Sequence, residues 1–323
     1  MPQTMKTVFF GTPDFALSSL EACRNHSALV AVVTQPDRPR GRGHKLSPCP
    51  VKARALEFGV PVFSPSSLRK PSEELGALME LISKTRPDLF VVTAYGNLLP
   101  ENLLAAPPLG SINVHASLLP RWRGAAPIQR CLESGDLETG VCLQKMVMEL
   151  DAGEVLAELR CPIDSGDSAV ALSLRLSQMG GTLLSTFLQR PHWSGRAQDP
   201  SLVTHAAKIR KEEGHWAPTW SPSETHAKVR AFAAWPQVKA RLNPGSAELK
   251  LLETSLFARA KLKNSPQGPS SLTLEEGRVY LETGVRPSEH VLEILQIQVP
   301  GKGPVRAWDY FQNLQAPLSL ESL

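Results

Sequence analysis

The chain of 323 residues has few cysteines, and their arrangement excludes two kinds of cross-linked protein. The five cysteines are an odd number with no C-x-x-C pair: Cys23, Cys49, Cys131, Cys142 and Cys161. Scattered single cysteines fit neither a disulfide framework nor a cysteine-based zinc site. We therefore expect small core or surface thiols and no bound metal.

Long apolar runs are also missing. No run approaches the roughly 20 residues that a membrane-spanning helix needs, and the apolar run of the N-terminal MPQTMKTVFFG is too short for a signal peptide. We expect a cytoplasmic protein with no membrane partner. The net charge of +4 permits a polyanionic partner but does not require one.

Two nucleotide-binding fingerprints are absent as well. The first predicted strand-to-helix turn, Gly11-Thr12-Pro13-Asp14, lacks the G-x-G-x-x-G that brings a pyrophosphate onto a helix N-terminus. No G-x-x-x-x-G-K-[ST] occurs either. The sequence therefore supports neither a nicotinamide cofactor nor a P-loop hydrolase. For Gly11 and Pro13 we expect a structural role in closing the turn.

The pattern of the sequence changes well before its C-terminus. In residues 1–189, β-branched or aromatic runs alternate with amphipathic stretches, which predicts an α/β domain with a Rossmann-like, mostly parallel sheet. A Pro-, Gly- and polar-rich stretch then predicts a linker at 190–208. In residues 209–323, short β-rich segments separated by turn residues predict a smaller, OB-like C-terminal β-barrel.

The most specific signal lies between Ser111 and Gln129, in the stretch SINVHASLLPRWRGAAPIQ. In a strand, Asn113 and His115 project from the same face at the carboxyl end, where open α/β sheets bind ligands. An amide donor beside an imidazole can hold a carbonyl oxygen that becomes negative under nucleophilic attack. An isolated N-x-H can equally cap a buried strand, and the residues alone leave both interpretations open.

This stretch resembles the folate-dependent formyltransferase family, whose active-site strand carries N-x-H followed closely by S-L-L-P. The family's later L-D-x-G segment is matched by Leu150 to Gly153, which makes Asp151 the expected third catalytic residue. The resemblance implies that Asn113 and His115 donate hydrogen bonds to the oxyanion. It also implies that Asp151 lies near the imidazole, orients or ionises it, and helps to move a proton from the attacking amine.

The resemblance also implies the formyl donor, 10-formyltetrahydrofolate, and the place where it binds. The expected folate-binding residues are Ser117, Leu118, Leu119, Pro120, Tyr95 and Gly96. A flat pterin needs an apolar slot with hydrogen-bonding groups at its edge, which strand ends can supply. Tyr95 could equally be a packing aromatic.

Three segments resemble the methionyl-tRNA branch of that family. They are RWRGAAPIQ from Arg121, the basic segment TQPDRPRGRGHKL from Thr34, and AKIRKEEG from Ala207. The cationic residues expected to contact tRNA are Arg38, Arg40, Arg42, Lys45, Lys208 and Lys211. For a generic basic segment, a solvated charged loop would be the alternative.

The function implied by the resemblance is transfer of a formyl group from the reduced folate to the α-amino group of methionyl initiator tRNA, by a monomer. Two alternatives stay open at this level. A sugar-nucleotide or other small-amine formyltransferase would use the same catalytic residues without needing the basic segment. A catalytically silent tRNA-binding protein would keep the cationic residues but has no need of Asn113, His115 and Asp151.

Overall fold

The computed structural model describes residues 4–40, 45–244, 247–264, 268, 270–284, 288–314 and 317–323. Two compact units make up the chain. The first consists of Met1–Pro127, Glu138–Pro162 and Ser173–Ala206, and the second consists of Ile128–Leu137, Ile163–Leu172 and Ala207–Leu323. Each unit has a large sheet of its own.

Strands and helices alternate over the first 206 residues. In chain order they are β1 (Lys6–Gly11), α1 (Leu17–His26), β2 (Ala28–Val33), β3 (Arg38–Arg40), β4 (Lys45–Ser47), α2 (Pro50–Glu57), β5 (Val62–Phe63), α3 (Glu73–Thr85), β6 (Leu89–Thr93), α4 (Glu101–Leu104), β7 (Ser111–His115), β8 (Arg123–Gly124), α5 (Pro127–Glu133), β9 (Glu138–Lys145), β10 (Val155–Pro162), α6 (Ala169–Gln189) and β11 (His205–Ala206). Short 3-10 helices lie at Asp14–Ala16 and Pro200–Leu202.

The large sheet of the first unit has the strand order β10-β9-β7-β6-β1-β2-β5. The pairs β1–β2, β1–β6, β6–β7 and β2–β5 are parallel, whereas β9 runs antiparallel to both of its neighbours. Parallel strands covered on both faces need continuous apolar runs, and β1 and β6 supply them. The predicted Rossmann-like, mostly parallel sheet is confirmed.

Aromatic packing holds the carboxyl ends of the central strands in place. The ring of Phe10 at the end of β1 lies 5.2 Å from the ring of Phe90 and 5.5 Å from that of Tyr95, centroid to centroid. All three side chains belong to one buried cluster together with Leu78 and Ile82 of α3. Burying side chains of this size contributes about 1.5–3 kcal/mol each. The turns that follow these strands therefore start from a fixed position.

The basic segment contains a short antiparallel hairpin, whose two strands are β3 and β4. Strands β3 and β4 pair antiparallel, with Arg38 opposite Ser47 and Arg40 opposite Lys45. Beside the hairpin, Asp37 forms an ion pair with Lys52 of α2 at 2.8 Å. The intervening residues 41–44 lie outside the described part of the chain.

In the second unit, short strands make up most of the regular structure. In chain order its elements after residue 207 are α7 (Pro222–Ala231), β12 (Val238–Asn243), β13 (Glu248–Ala258), β14 (Ser271–Glu275), β15 (Arg278–Leu281), β16 (His290–Gln298), β17 (Val305–Arg306), α8 (Ala307–Phe311) and β18 (Leu318–Glu321), with 3-10 helices at Lys211–Gly214 and Arg259–Lys261.

The strands of the second unit form a closed barrel. Their order is β13-β12-β18-β14-β15-β16-β17, and β13 also pairs with β16. That additional pairing joins the two ends of a six-stranded antiparallel sheet and leaves β17 attached to β16. Closure satisfies the edge strands that an open sheet would expose. The predicted small antiparallel barrel is confirmed.

Within the described residues, no helix has both the length and the apolar character needed to cross a membrane.

Candidate active site

Strand β7 places Asn113 and His115 on one face of the sheet, as the two-residue period of a strand predicts. In the antiparallel pairing with β9, Asn113 lies opposite Gln144 and His115 lies opposite Cys142. Directly opposed residues project from the same face, so these four side chains form a patch at the carboxyl end of β7. A polar patch at this end of the sheet is where open α/β folds bind ligands.

The imidazole of His115 is buried and anchored through one of its two ring nitrogens. Its Nε2 lies 2.9 Å from the carbonyl oxygen of Trp122. Because a carbonyl oxygen can only accept, Nε2 carries a proton and donates it in this hydrogen bond. The second nitrogen, Nδ1, faces Oδ1 of Asp151 at 3.7 Å. The ring is thereby turned so that Nδ1 is the nitrogen available for chemistry.

Asp151 lies in the turn between β9 and β10, in an uncommon backbone conformation. Its φ of 52° is in the left-handed region, which non-glycine residues seldom occupy and which aspartate tolerates better than most. The Gln144 amide donates to Oδ1 at 2.8 Å, and the Gly124 backbone N–H donates to Oδ2 at 2.8 Å. Both carboxylate oxygens are therefore held, and the side chain is only 8% exposed.

Gln198, which lies 47 positions after Asp151 in the chain, fixes the turn that carries it. Gln198 donates through Nε2 to the carbonyl oxygens of Asp151 and Gly153, at 2.8 and 2.7 Å. Its Oε1 accepts from Nε of the buried Arg123 at 3.0 Å. The stretch containing Gln198 has the composition of a linker, and nothing local in the sequence signals this role. For Gln144, the only local signal is a polar residue directly after the apolar run 141–143 of β9.

Replacing Gln198 with alanine is expected to lower kcat about 10-fold or more, because the turn loses two backbone anchors and a small displacement of a catalytic group is costly. Steady-state kinetics of formyl transfer measure the effect, with the melting temperature as a folding check. The matched control is Gln178→Ala, which removes an exposed glutamine on α6 and should change nothing. Equal kcat values for the two variants would show that Gln198 does not position the turn.

An apolar pocket opens directly beside Asp151. Its lining residues are Arg69, Leu98, Leu99, Leu104, Gln144, Lys145, Met146, Val147, Met148, Leu150, Asp151 and Ala152. Four of these apolar side chains are about half exposed: Leu98, Val147, Met148 and Leu150. Exposed apolar residues gathered around a concave site are typical of ligand-binding surfaces. Of the lining residues, only Asp151 was predicted from the sequence to have a catalytic or binding role.

The six residues predicted to bind folate are not among the residues that line this pocket. Ser117 and Leu119 are fully or almost fully buried. The Ser117 hydroxyl donates to the Arg121 carbonyl at 2.6 Å, and the Leu119 N–H donates to Sγ of Cys142 at 3.4 Å. Leu118 is partly buried, Pro120 is buried and Gly96 is exposed. Their folate contacts stay a prediction.

Tyr95 belongs to the aromatic cluster at the end of β6. Its side chain is 2% exposed, and burial raises the pKa of its phenol to about 12. The packing role that the sequence left open is therefore the one visible in its contacts with Phe10.

Of the six cationic residues predicted to contact tRNA, three have described side chains. Arg38, Lys208 and Lys211 are exposed. The side chains of Arg40 and Lys45, and the whole of Arg42, lie outside the described residues.

The segment around Lys208 and Lys211 is anchored within the second unit through Glu213. Arg130 donates to Glu213 at 2.7 Å and to Glu133 at 2.6 Å. The hydrogen bond from the Arg130 guanidinium holds the pKa of Glu213 below its ordinary value. Lys228 forms a further ion pair with Glu133. Glu213 thus has a structural partner within the second unit, and Lys208 and Lys211 remain exposed to solvent.

Among the described residues, no cluster of three or more histidine, cysteine or acidic side chains has the arrangement of a metal site.

Comparisons with known proteins identify relatives of both parts of the chain. The family model described as formyl transferase matches residues 5–188, and the one described as formyl transferase, C-terminal domain, matches residues 208–315. The methionyl-tRNA formyltransferase of Xylella fastidiosa (strain 9a5c) is 49% identical over 238 residues, which are 72% of this chain and 75% of that protein.

Two solved structures share the fold at low identity. An N-formyltransferase from Helicobacter canadensis, in complex with folinic acid and dTDP-3-aminofucose, has a TM-score of 0.62 at 17% identity and covers 90% of this chain and 98% of its own. The sugar 3N-formyl transferase WlaRD has a TM-score of 0.63 at 16% identity, and the match covers 93% of this chain and 100% of that chain. Because a single family model spans more than half of the residues, this chain belongs to the formyl transferase family.

Proposed function

We propose that this chain transfers the formyl group of 10-formyltetrahydrofolate to the α-amino group of methionyl initiator tRNA, for translation initiation. The observation that carries the proposal is the convergence of His115, Asp151 and the pocket beside them at the carboxyl end of β7. The 49% identical relative named methionyl-tRNA formyltransferase supports methionyl-tRNA as the acceptor.

In the proposed reaction, the amine nitrogen attacks the formyl carbon and the carbonyl oxygen becomes an oxyanion. Asn113 donates a hydrogen bond to that oxygen through its side-chain amide. His115 can donate only through Nδ1, because its Nε2–H is already engaged by the Trp122 carbonyl. Donation through Nδ1 requires the doubly protonated ring, and the Asp151 carboxylate 3.7 Å away supplies the counter-charge for it.

The bond to N10 of the folate breaks when the tetrahedral intermediate collapses. The attacking nitrogen loses a proton and N10 gains one, so a group near both atoms must carry it. Asp151 is suited to this role because its two oxygens are oriented by Gln144 and Gly124 and its side chain faces His115. Catalysis by these residues needs no metal.

The folate is proposed to enter the pocket that Asp151 borders. The lining includes Leu98, Leu99 and Leu104, which form an apolar wall suited to a flat heteroaromatic ring. The predicted contacts from Ser117 to Pro120 and from Tyr95 and Gly96 belong to the same proposal. Their support is the position of both segments directly after β7 and β6.

The proposed tRNA contacts come from cationic residues in each unit. Arg38 on β3 is joined in this proposal by Arg40, Arg42 and Lys45 of the same basic segment. Lys208 and Lys211 are proposed to contribute from the second unit. Exposed guanidinium and ammonium groups bind phosphates chiefly through charge, so affinity should depend steeply on salt.

A transfer assay tests the proposed function directly. Purified protein is incubated with 10-formyltetrahydrofolate labelled in the formyl group and with either methionyl initiator tRNA or a nucleotide-linked amino sugar. We expect label on the tRNA and none on the sugar. Label on the amino sugar alone would show that the chain is a small-amine formyltransferase. No label on either acceptor would favour a catalytically silent RNA-binding protein.

Replacing Arg38 or Lys211 with alanine is expected to weaken tRNA binding and to flatten its salt dependence. For each phosphate contact that is lost, the slope of log K against log salt should fall by about 0.7–0.9. Equilibrium binding between about 50 and 200 mM salt measures both effects. Lys84→Ala on α3 removes an equally exposed cation and serves as the control. An affinity that does not respond to salt would exclude these residues from the interface.

Three further points belong to this proposal. Residues 1–189 are taken as the catalytic domain, 190–208 as the linker and 209–323 as the tRNA-binding barrel. The protein is proposed to act as a monomer in the cytoplasm.

A further inference from the structure

Gln144 is a buried glutamine whose orientation is determined by its neighbour. Its side chain is 1% exposed, and Nε2 donates to Oδ1 of Asp151 at 2.8 Å. A carboxylate oxygen accepts and cannot donate, so the amide must turn its nitrogen towards Asp151. The carbonyl oxygen Oε1 is therefore directed away from Asp151.

This Oε1 atom is fully buried and has no hydrogen-bond partner within the described part of the protein. Buried polar atoms in folded proteins are nearly always hydrogen-bonded, because an unpaired acceptor loses its contact with water and gains nothing in return. A lone acceptor in this position is what a site built to receive a hydrogen-bond donor would contain.

The surroundings of Gln144 indicate where the donor would come from. Gln144 lies opposite Asn113 in the sheet and lines the pocket beside Asp151. The same pocket is walled by Leu98, Leu99 and Leu104. Those leucines carry no side-chain donor, and the Lys145 ammonium that also lines the pocket is paired with Glu154 at 2.7 Å. An N–H group of a molecule that fills the pocket would therefore be a suitable partner for Oε1.

We propose that Oε1 of Gln144 accepts a hydrogen bond from an N–H group of the bound reduced folate. The inference rests on the proposed function, in which this pocket receives the folate. A reduced pterin is flat, fits an apolar slot and carries several N–H groups on its edge. Gln144 would thus contact the formyl donor with one end of its amide and orient Asp151 with the other.

The test separates these two roles of the glutamine by measuring equilibrium binding of tetrahydrofolate, which has no formyl group to transfer. Gln144→Met keeps the volume of the side chain and removes the acceptor. We expect it to weaken tetrahydrofolate binding about 5-fold to 10-fold, the range for one lost hydrogen bond. Binding within about 2-fold of the wild type would overturn the proposal.

An Asp151→Asn background tests whether the acceptor at position 144, and not the carboxylate of Asp151, binds the folate. The asparagine amide can donate to Oε1 of Gln144 and occupy it, so Asp151→Asn alone should weaken tetrahydrofolate binding about 5-fold to 10-fold, and adding Gln144→Met should change little further. Adding Gln144→Glu should restore binding, because the asparagine amide donates to one glutamate oxygen and leaves the other free to accept. Binding that Gln144→Glu does not restore in this background would overturn the proposal.

Thermal unfolding of every variant confirms that binding is measured on folded protein. The wild-type transfer assay separates this inference from the proposed function. If the wild type formylates methionyl-tRNA while Gln144→Met binds tetrahydrofolate normally, the Gln144 contact is wrong. The proposed function is then unaffected.

Discussion

Replacing Asp151 with asparagine is expected to lower kcat for formyl transfer about 100-fold or more. The substitution removes the negative charge that faces Nδ1 of His115 at 3.7 Å, so the doubly protonated ring loses its counter-charge. In the wild type, the two carboxylate oxygens accept hydrogen bonds from Gln144 and Gly124. In asparagine, an N–H₂ group replaces one of these oxygens and cannot accept the hydrogen bond that reaches it. Single-turnover rates with saturating folate and tRNA measure the change.

The control for this prediction is Glu80→Gln, which neutralises an exposed carboxylate on α3. It should leave kcat unchanged. The melting temperature of Asp151→Asn should stay within a few degrees of the wild type, since one buried hydrogen bond contributes only about 1 kcal/mol. Near-normal turnover in Asp151→Asn would contradict the proposed role of the carboxylate.

Replacing Gly153 with alanine is expected to abolish most activity, because it displaces the backbone of the turn that carries Asp151. A Cβ atom at this position would overlap the carbonyl oxygen of Lys145, on the opposite side of the turn that carries Asp151. The Lys145 N–H donates to the Glu154 carbonyl at 2.9 Å, so neither strand can move away without breaking the pairing. We expect a fall in kcat of about 100-fold and a loss of about 2–4 kcal/mol in the free energy of unfolding.

Urea unfolding and steady-state kinetics test the Gly153 prediction together. Gly166→Ala is the matched control, since a Cβ there meets nothing within 4 Å and the residue is exposed. Wild-type stability and turnover in Gly153→Ala would show that the turn tolerates displacement, and the role assigned to its rigidity would then fail.

The sequence predicted the sheet of the first unit well because its strands are long apolar runs separated by amphipathic helices. Strands β1, β6 and β7 fall where those runs lie, and the two-residue period correctly placed Asn113 and His115 on one face. The barrel was harder, because strands such as β12 and β13 alternate buried and more exposed residues and do not form continuous apolar runs. The closing pair β13–β16 joins segments about forty residues apart in sequence, so no local pattern predicts it.

The candidate site shows the limit of local patterns most clearly. Resemblance alone indicated that Asp151 lies near His115. In the structure, β9 runs antiparallel along β7 and ends beside Ile112, and the turn after β9 then folds back so that Asp151 faces His115. Gln198 reaches the same turn from 47 positions further on, within a stretch of linker-like composition. Neither contact leaves a local trace in the sequence.

Taken by itself, the sequence determined the type of each unit and the chemistry of its most distinctive strand, because residue periodicity and side-chain functional groups are local properties. Only the tertiary structure decided which nitrogen of His115 faces Asp151, how Asp151 is held and where the apolar pocket lies. Those features depend on contacts between segments that are far apart in the chain. Their positions follow from strand order, register and packing, none of which can be read from neighbouring residues.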